Sequence, residues 1–359
     1  MKLGLLDLIC CPACHGMLHL AEREECDSEI ENGRLACSSC GQQYPIKAGM
    51  PHLYVNDDRW APKAREAAGW VTYHQELGIY EQGEDAVDLQ VPYFPEEPWS
   101  RVAPSFDLAL ETLALDGSET ILDLGAGRGW ASKHFALRGC RVVALDVADD
   151  ANVGLGRGRV LMQHANTYFE RIIGDGEQLP FSPGSFDIVF CAAALHHTSN
   201  LELFLRNVAT VLRPDGLLCA INEPTISILM SERKALETSS DELRHGINET
   251  RPDLDGYLTS LAAAGFSVVE ASSPYLKAMS LEELRAYASA RGTVWAWPGL
   301  RAPVRELRRL YYYVGMRVYG LLRRVWPRSV IRAASDRERL EQSVMLWIGG
   351  ELFLLARKP

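Results

Sequence analysis

The chain has 359 residues, 47% of them hydrophobic, more than one ordinary compact domain needs, which implies two domains or more. A formal net charge of −10 argues against attraction of the whole molecule to nucleic acid, so a nucleic-acid partner is not expected. No uncharged apolar run reaches the length of a membrane span, since the best candidate, 344–356, is short and carries Glu351.

Residues 1–20 begin like a secretory signal. Asp7 interrupts the apolar stretch, however, and two cysteines follow where cleavage would fall, so the segment reads as structure and the protein as cytoplasmic. Cys11-Pro-Ala-Cys14 and Cys37-Ser-Ser-Cys40 then form two C-x-x-C knuckles. Each tight turn aims two sulfurs at one ion, so four thiolates can enclose a structural Zn²⁺ with no position left for water or substrate. Two disulfides are the alternative, disfavoured without a secretory signal. Cys10 and Cys26 fall outside the knuckles and read as a core and a loop residue. The run LLDLICCPACHGML, followed by LACSSCGQQYPIKAGMPHL, resembles the small zinc-ribbon proteins that activate tRNA and translation-factor methyltransferases. That resemblance covers residues 1–55 and implies an accessory or interaction role for this ribbon.

Residues 56–104, rich in Pro, Trp and acids, read as a linker and N-terminal cover with a short helix near Ala61–Leu77. Its aromatics Trp70, Tyr73, His74, Tyr93 and Trp99 either close over a ligand or pack the segment onto its neighbour.

Next comes an apolar strand, Thr120-Ile-Leu-Asp-Leu, running straight into Gly125, Gly127 and Gly129 and then a helix. Glycines there let backbone approach a ligand closely, although a dinucleotide site would use similar geometry. Three acids argue for another ligand. Asp123 before the glycines would repel a pyrophosphate but suits a cationic amino group. Asp146 ends the strand Cys140–Asp146 about 20 residues later, where a carboxylate takes ribose hydroxyls. Asp175, with Gly176, ends a third strand and suits an adenine amino group. Each acid alone is explicable as a turn residue or a helix cap.

The segments ILDLGAGRG, VVALD, GDGEQLPFSPGSFDIVFCAAALHH and VLRPDGLLCAINEP, in that order, resemble class I methyltransferases of the quinone, sterol and sugar group. The resemblance implies a doubly wound, mostly parallel seven-stranded α/β sheet binding S-adenosylmethionine. It assigns Asp123, Gly125 and Gly127 to the methionine part, Asp146 to the ribose, and Asp175 with Gly176 to the adenine.

The fourth strand, Phe186–Leu195, delivers His196 and His197 to the carboxyl edge of the sheet, and Ser199-Asn-Leu-Glu202 has the form of a capping box for the next helix. One of these histidines can remove a hydroxyl proton, or both can shape the pocket. Glu223, after the strand Leu217–Asn222, stands where related sugar O-methyltransferases place an acidic partner for that histidine; a surface acid is the alternative. No Asn-Pro-Pro-Tyr-type element follows strand four, which disfavours N-methylation of planar amides and bases.

Beyond the core, 105–275, a helical insertion at 276–341 reads as a substrate cap, and the resemblance implies that 342–359 is the final strand, entering antiparallel. The sixth strand is placed at Phe266–Ala271 and the seventh near Val344–Lys358. Inside the insertion, apolar residues from Val304 to Val325 recur at helical spacing, and nine arginines face the single Glu306 between Arg301 and Arg332. Such a helix at 304–325 can touch the inner face of an anionic membrane, or pack as an ordinary cap. The sequence is therefore read as an S-adenosylmethionine-dependent O-methyltransferase acting on a glycan or lipid-linked small molecule. Methylation of tRNA, rRNA or a protein is the alternative, and a non-catalytic adaptor the third reading.

Overall fold

A computed structural model describes residues 1–26, 29–78, 85–227, 230–237, 240–294 and 335–359. The arginine-rich helix expected at 304–325 lies outside the described residues.

The strands are β1 (Leu18–Cys26), β2 (Glu29–Cys37), β3 (Gln43–Lys47), β4 (Met50–Leu53), β5 (Thr120–Leu124), β6 (Arg141–Asp146), β7 (Glu170–Gly174), β8 (Phe186–Ala192), β9 (Leu212–Ile226), β10 (Ser267–Ser272) and β11 (Gly349–Arg357). They join in one sheet of order β1-β2-β3-β4-β7-β6-β5-β8-β9-β11-β10. Among the described residues the sheet has eleven strands rather than the expected seven, because four N-terminal strands extend it past β7.

Strands β5 to β8 are short apolar runs because helices cover both faces, and parallel strands buried on two sides need no polar alternation. Successive residues of β5 enter different cores. Ile121 joins Phe106, Phe135 and Phe190 on one face, whereas Leu122 and Leu124 join Leu145, Ile172 and Leu205 on the other. β11 enters antiparallel between β9 and β10, as the family resemblance implies. It begins at Gly349, because Val344–Ile348 continues a helix, Asp336–Ile348, whose start is fixed by a capping box of Ser335 and Glu338.

The N-terminal strands do not hang from the core as a separate bead. β4 pairs in parallel with β7, His52 against Ile173 and Leu53 against Gly174. The backbone N–H of Cys10 donates to the Pro180 carbonyl (2.9 Å) and that of Ser182 to Leu8 (2.9 Å). Leu5, Ile9, Leu35 and Tyr44 share one apolar cluster with Leu145, Ile172 and Phe181. Arg171, 3% exposed, donates from Nη2 to the Ala48 carbonyl, which ties the β3–β4 turn to β7.

The segment read as a linker forms helices Trp60–Glu76, Asp85–Gln90 and Trp99–Leu113. No helix among the described residues is long and apolar enough to cross a membrane.

Candidate cofactor and acceptor site

The carboxyl ends of β5, β6, β7 and β8 open into one cavity of about 280 Å³, roofed by the Trp60–Glu76 helix. This is the crevice where open α/β sheets bind ligands. Its floor is the glycine turn after β5. Gly125, Gly127 and Gly129 all have positive φ (74°, 53° and 83°), a region side chains avoid. A Cβ on Gly125 would meet the Ala194 Cβ at 2.7 Å, and one on Gly129 would strike the Phe169 ring at 2.9 Å. A Cβ on Gly127, in the cavity wall, would meet nothing within 4 Å, so the wall there is bare backbone facing open space.

Asp146 and Asp175 line this cavity beside Gly176. Asp146 closes the turn below it, accepting from the Gly127 N–H (2.8 Å) through Oδ2 and from the Ala148 N–H (3.0 Å) through Oδ1. Asp175 accepts from the Glu177 N–H at 2.8 Å. Burial raises the pKa of both, with partial compensation from those backbone donors. Asp123 is placed differently from its expected role. It is 1% exposed, is absent from the cavity wall, and accepts from Ser132 N (3.0 Å) and Ser132 Oγ (2.6 Å) in the first turn of the Trp130–Ala136 helix. Its carboxylate braces that turn, and burial lifts its pKa to about 7.

The two histidines sit in a 3₁₀ turn, Leu195–His197, after β8. The helix that follows is capped by Asn200, whose side chain accepts from the Leu203 N–H, one residue later than the Ser199 cap the sequence suggested. Glu223, fully buried, holds the turn from beneath: Oε1 accepts from Ala194 N (2.8 Å) and Leu195 N (2.9 Å), and Oε2 from His196 N (3.2 Å) and His196 Nδ1 (2.9 Å). His197, not His196, lines the cavity. Its Nδ1 is 2.7 Å from the Asn248 carbonyl. A carbonyl only accepts, so Nδ1 carries the proton of the neutral ring and Nε2 keeps a lone pair. Burial, then His196, lowers the His197 pKa well below the usual histidine range.

Several wall residues carried no sequence signal. Lys63 and Glu66 face the cavity from the roof helix, with Lys63 Nζ 3.3 Å from Glu66 Oε2 and 3.5 Å from Glu177 Oε1. Of the five linker aromatics, Trp70, His74 and Trp99 line the cavity, and the Trp70 ring meets His197 edge-on at 5.2 Å.

A second site lies in the N-terminal strands. Cys11, Cys14, Cys37 and Cys40 bring their sulfurs within 4.8 Å of one another, the pairs Cys11–Cys40 and Cys14–Cys37 being 3.7 and 3.5 Å apart. A tetrahedron of Zn–S bonds has sulfur–sulfur edges of about 3.8 Å, so the four thiols fit zinc. Backbone N–H groups of Cys40 and Ser39 lower the Cys37 pKa to about 6, toward the thiolate a metal needs.

This arrangement is a Rossmann-like α/β domain with a ligand crevice at the carboxyl ends of β5 to β8, preceded by a ribbon whose four cysteines are placed to hold zinc. Residues 122–220 match the methyltransferase-domain family, and residues 2–49 match the Trm112p-like proteins. Among relatives, the uncharacterized methyltransferase sll0829 of Synechocystis is 36% identical over 117 residues, 32% of this chain and 52% of its own. The demethylmenaquinone methyltransferase of Tropheryma whipplei is 29% identical over 145 residues, 40% of this chain and 56% of its own. The chain thus spans about half the length of these relatives. In the solved YcgJ protein of Bacillus subtilis, 17% identical, the match covers 71% of this chain and 97% of that one with a TM-score of 0.43.

Proposed function

We propose that this protein transfers a methyl group from S-adenosylmethionine to an oxygen of a small molecule, glycan or lipid-linked acceptor. The observation that carries this reading is His197: an imidazole in the cavity wall, beside the glycine turn, with Nδ1 committed to a carbonyl and Nε2 left as an acceptor. When bound, the donor supplies an electrophilic sulfonium methyl; the acceptor oxygen forms the new C–O bond as the C–S electrons return to sulfur. The chain's own residues bind, orient and shield. Asp146 and Asp175 would take the ribose and adenine ends, the bare backbone of Gly125 and Gly127 would admit the methionine part, and Lys63 and Glu66 close the roof. His197 Nε2 takes the proton the acceptor hydroxyl gives up, while Glu223 fixes the turn through His196. Zn²⁺ on the four cysteines is structural, and an acceptor on a membrane surface would engage the 304–325 segment.

The test is transfer of labelled methyl from S-adenosylmethionine into cell-envelope glycolipid, quinone-precursor and RNA fractions. Label should appear on oxygen in one of the first two, and His197→Ala should cut turnover by about 10²-fold or more while S-adenosylhomocysteine still binds. Label confined to RNA or protein, or full turnover by His197→Ala, would refute the reading.

A further inference from the structure

We propose that Glu249 is the positioning residue of the cavity imidazole: its carboxylate, set beside the His197 ring, offsets the positive charge that ring gains when it takes a proton. This rests on the oxygen-acceptor reading above. Glu249 is 6% exposed, and its Oε1 lies 3.5 Å from His197 Nδ1 and 4.0 Å from His196 Nε2. Its other oxygen, Oε2, is 2.9 Å from Arg251 Nη2. The segment carrying it is stitched to the histidine turn. Asn248 Nδ2 donates to the His197 carbonyl (2.8 Å), and both the N–H and the hydroxyl of Thr250 donate to the His196 carbonyl (2.8 Å each). These three hydrogen bonds hold the backbone on either side of Glu249 against the histidine turn.

Charge gives it a role. Proton transfer from an acceptor hydroxyl to Nε2 leaves an imidazolium with N–H on both nitrogens. Burial, His196, Arg251 and Lys63 all oppose that charge. Glu223 is already engaged by three backbone N–H groups and His196 Nδ1, and Glu242 pairs with Tyr73. Glu249 has an oxygen within reach of His197 Nδ1, and Arg251 balances its charge until the proton arrives. The Asn248 carbonyl fixes the tautomer, and the carboxylate beside the ring stabilises its protonated form without itself taking the proton.

The measurements are imidazole NMR titration of the full chain with S-adenosylhomocysteine bound, and methyl transfer against pH into whichever acceptor fraction the wild type labels. In Glu249→Gln, the His197 titration and the acid limb of kcat should both move down by about one pH unit. kcat should fall about tenfold with KM little changed, because the lost interaction is made when the ring is charged. Arg251→Gln should move both up, since it removes a cation that opposes the imidazolium, and this opposite shift tests the idea even if Glu249→Gln fails to fold. Unshifted titrations in both variants, with His197→Ala inactive, would overturn the role of Glu249 and leave the base assignment standing; full turnover by His197→Ala would overturn the base assignment itself. One Mn²⁺ bound per chain by the wild type and lost in Glu249→Gln would also overturn the proposal, by making the cluster a cation site.

Discussion

Glu223→Gln isolates what the buried carboxylate beneath the histidine turn contributes. Its Oε1 accepts from Ala194 N and Leu195 N, and its Oε2 from His196 N, His196 Nδ1 and, at 3.5 Å, the Tyr257 hydroxyl. A glutamine keeps one oxygen and turns an NH₂ group toward the donors of the other; in the less costly flip the NH₂ faces Ala194 N and Leu195 N and the Oε2 donors keep their acceptor. Two hydrogen bonds to a charged acceptor disappear, at about 1.5–3 kcal/mol each, so the gross loss is about 3–6 kcal/mol. The amide escapes the desolvation cost of a fully buried charge, which brings the expected net loss to about 2–4 kcal/mol. Urea unfolding of the cofactor-free protein measures this. A variant within about 0.5 kcal/mol of wild type, the range of ordinary surface substitutions, would refute the view that this carboxylate holds the turn.

Two further outcomes follow from burial and from the shared sheet. Asp123 holds its proton to about pH 7 in the folded chain but releases it near pH 4 when unfolded, so its contribution to stability is lost as pH rises between those values; Asp123→Asn should flatten the unfolding free energy over that range, and an unchanged slope would count against the buried site. Removing zinc with a chelator, or replacing Cys37 with Ser, should lower the unfolding midpoint of the whole chain in one transition and speed hydrogen exchange in β7 as well as in the ribbon, because Leu35 and Tyr44 share a core with Ile172. Two separate transitions would show the ribbon to be independent.

Much of the cavity floor was legible because it depends on local patterns. An apolar run ending in glycines with positive φ declares both a strand and a bare turn, and Asp146 and Asp175 follow from strand ends. The placing of Asp123 was not legible, because period-two alternation sends it to the same face as Ile121, into the first turn of the next helix, and only packing reveals that Ser132 is there to receive it. Lys63 and Glu66 sit on a helix of ordinary composition, and Glu249 in a loop, so their burial depends on contacts over 100 and 50 residues away in sequence, with Asp175 and His197.

The relation of ribbon to domain is where sequence spacing misleads most. Paired C-x-x-C knuckles announce a self-sufficient metal module, since zinc substitutes for a core that so few residues cannot build. Nothing in the knuckles reports on β4, whose four residues, Met-Pro-His-Leu, look like the tail of the module. All four are buried, however, which a free edge strand in a small ribbon would not need. Burial on both sides means that β4 has partners beyond the hairpin, and β7 is that partner. Because Gly174 at the end of β7 leads directly into Asp175, the four-cysteine ribbon and the Asp175 end of the cavity meet across a single strand pairing. A metal held by the four cysteines would therefore brace β7 as well as the ribbon.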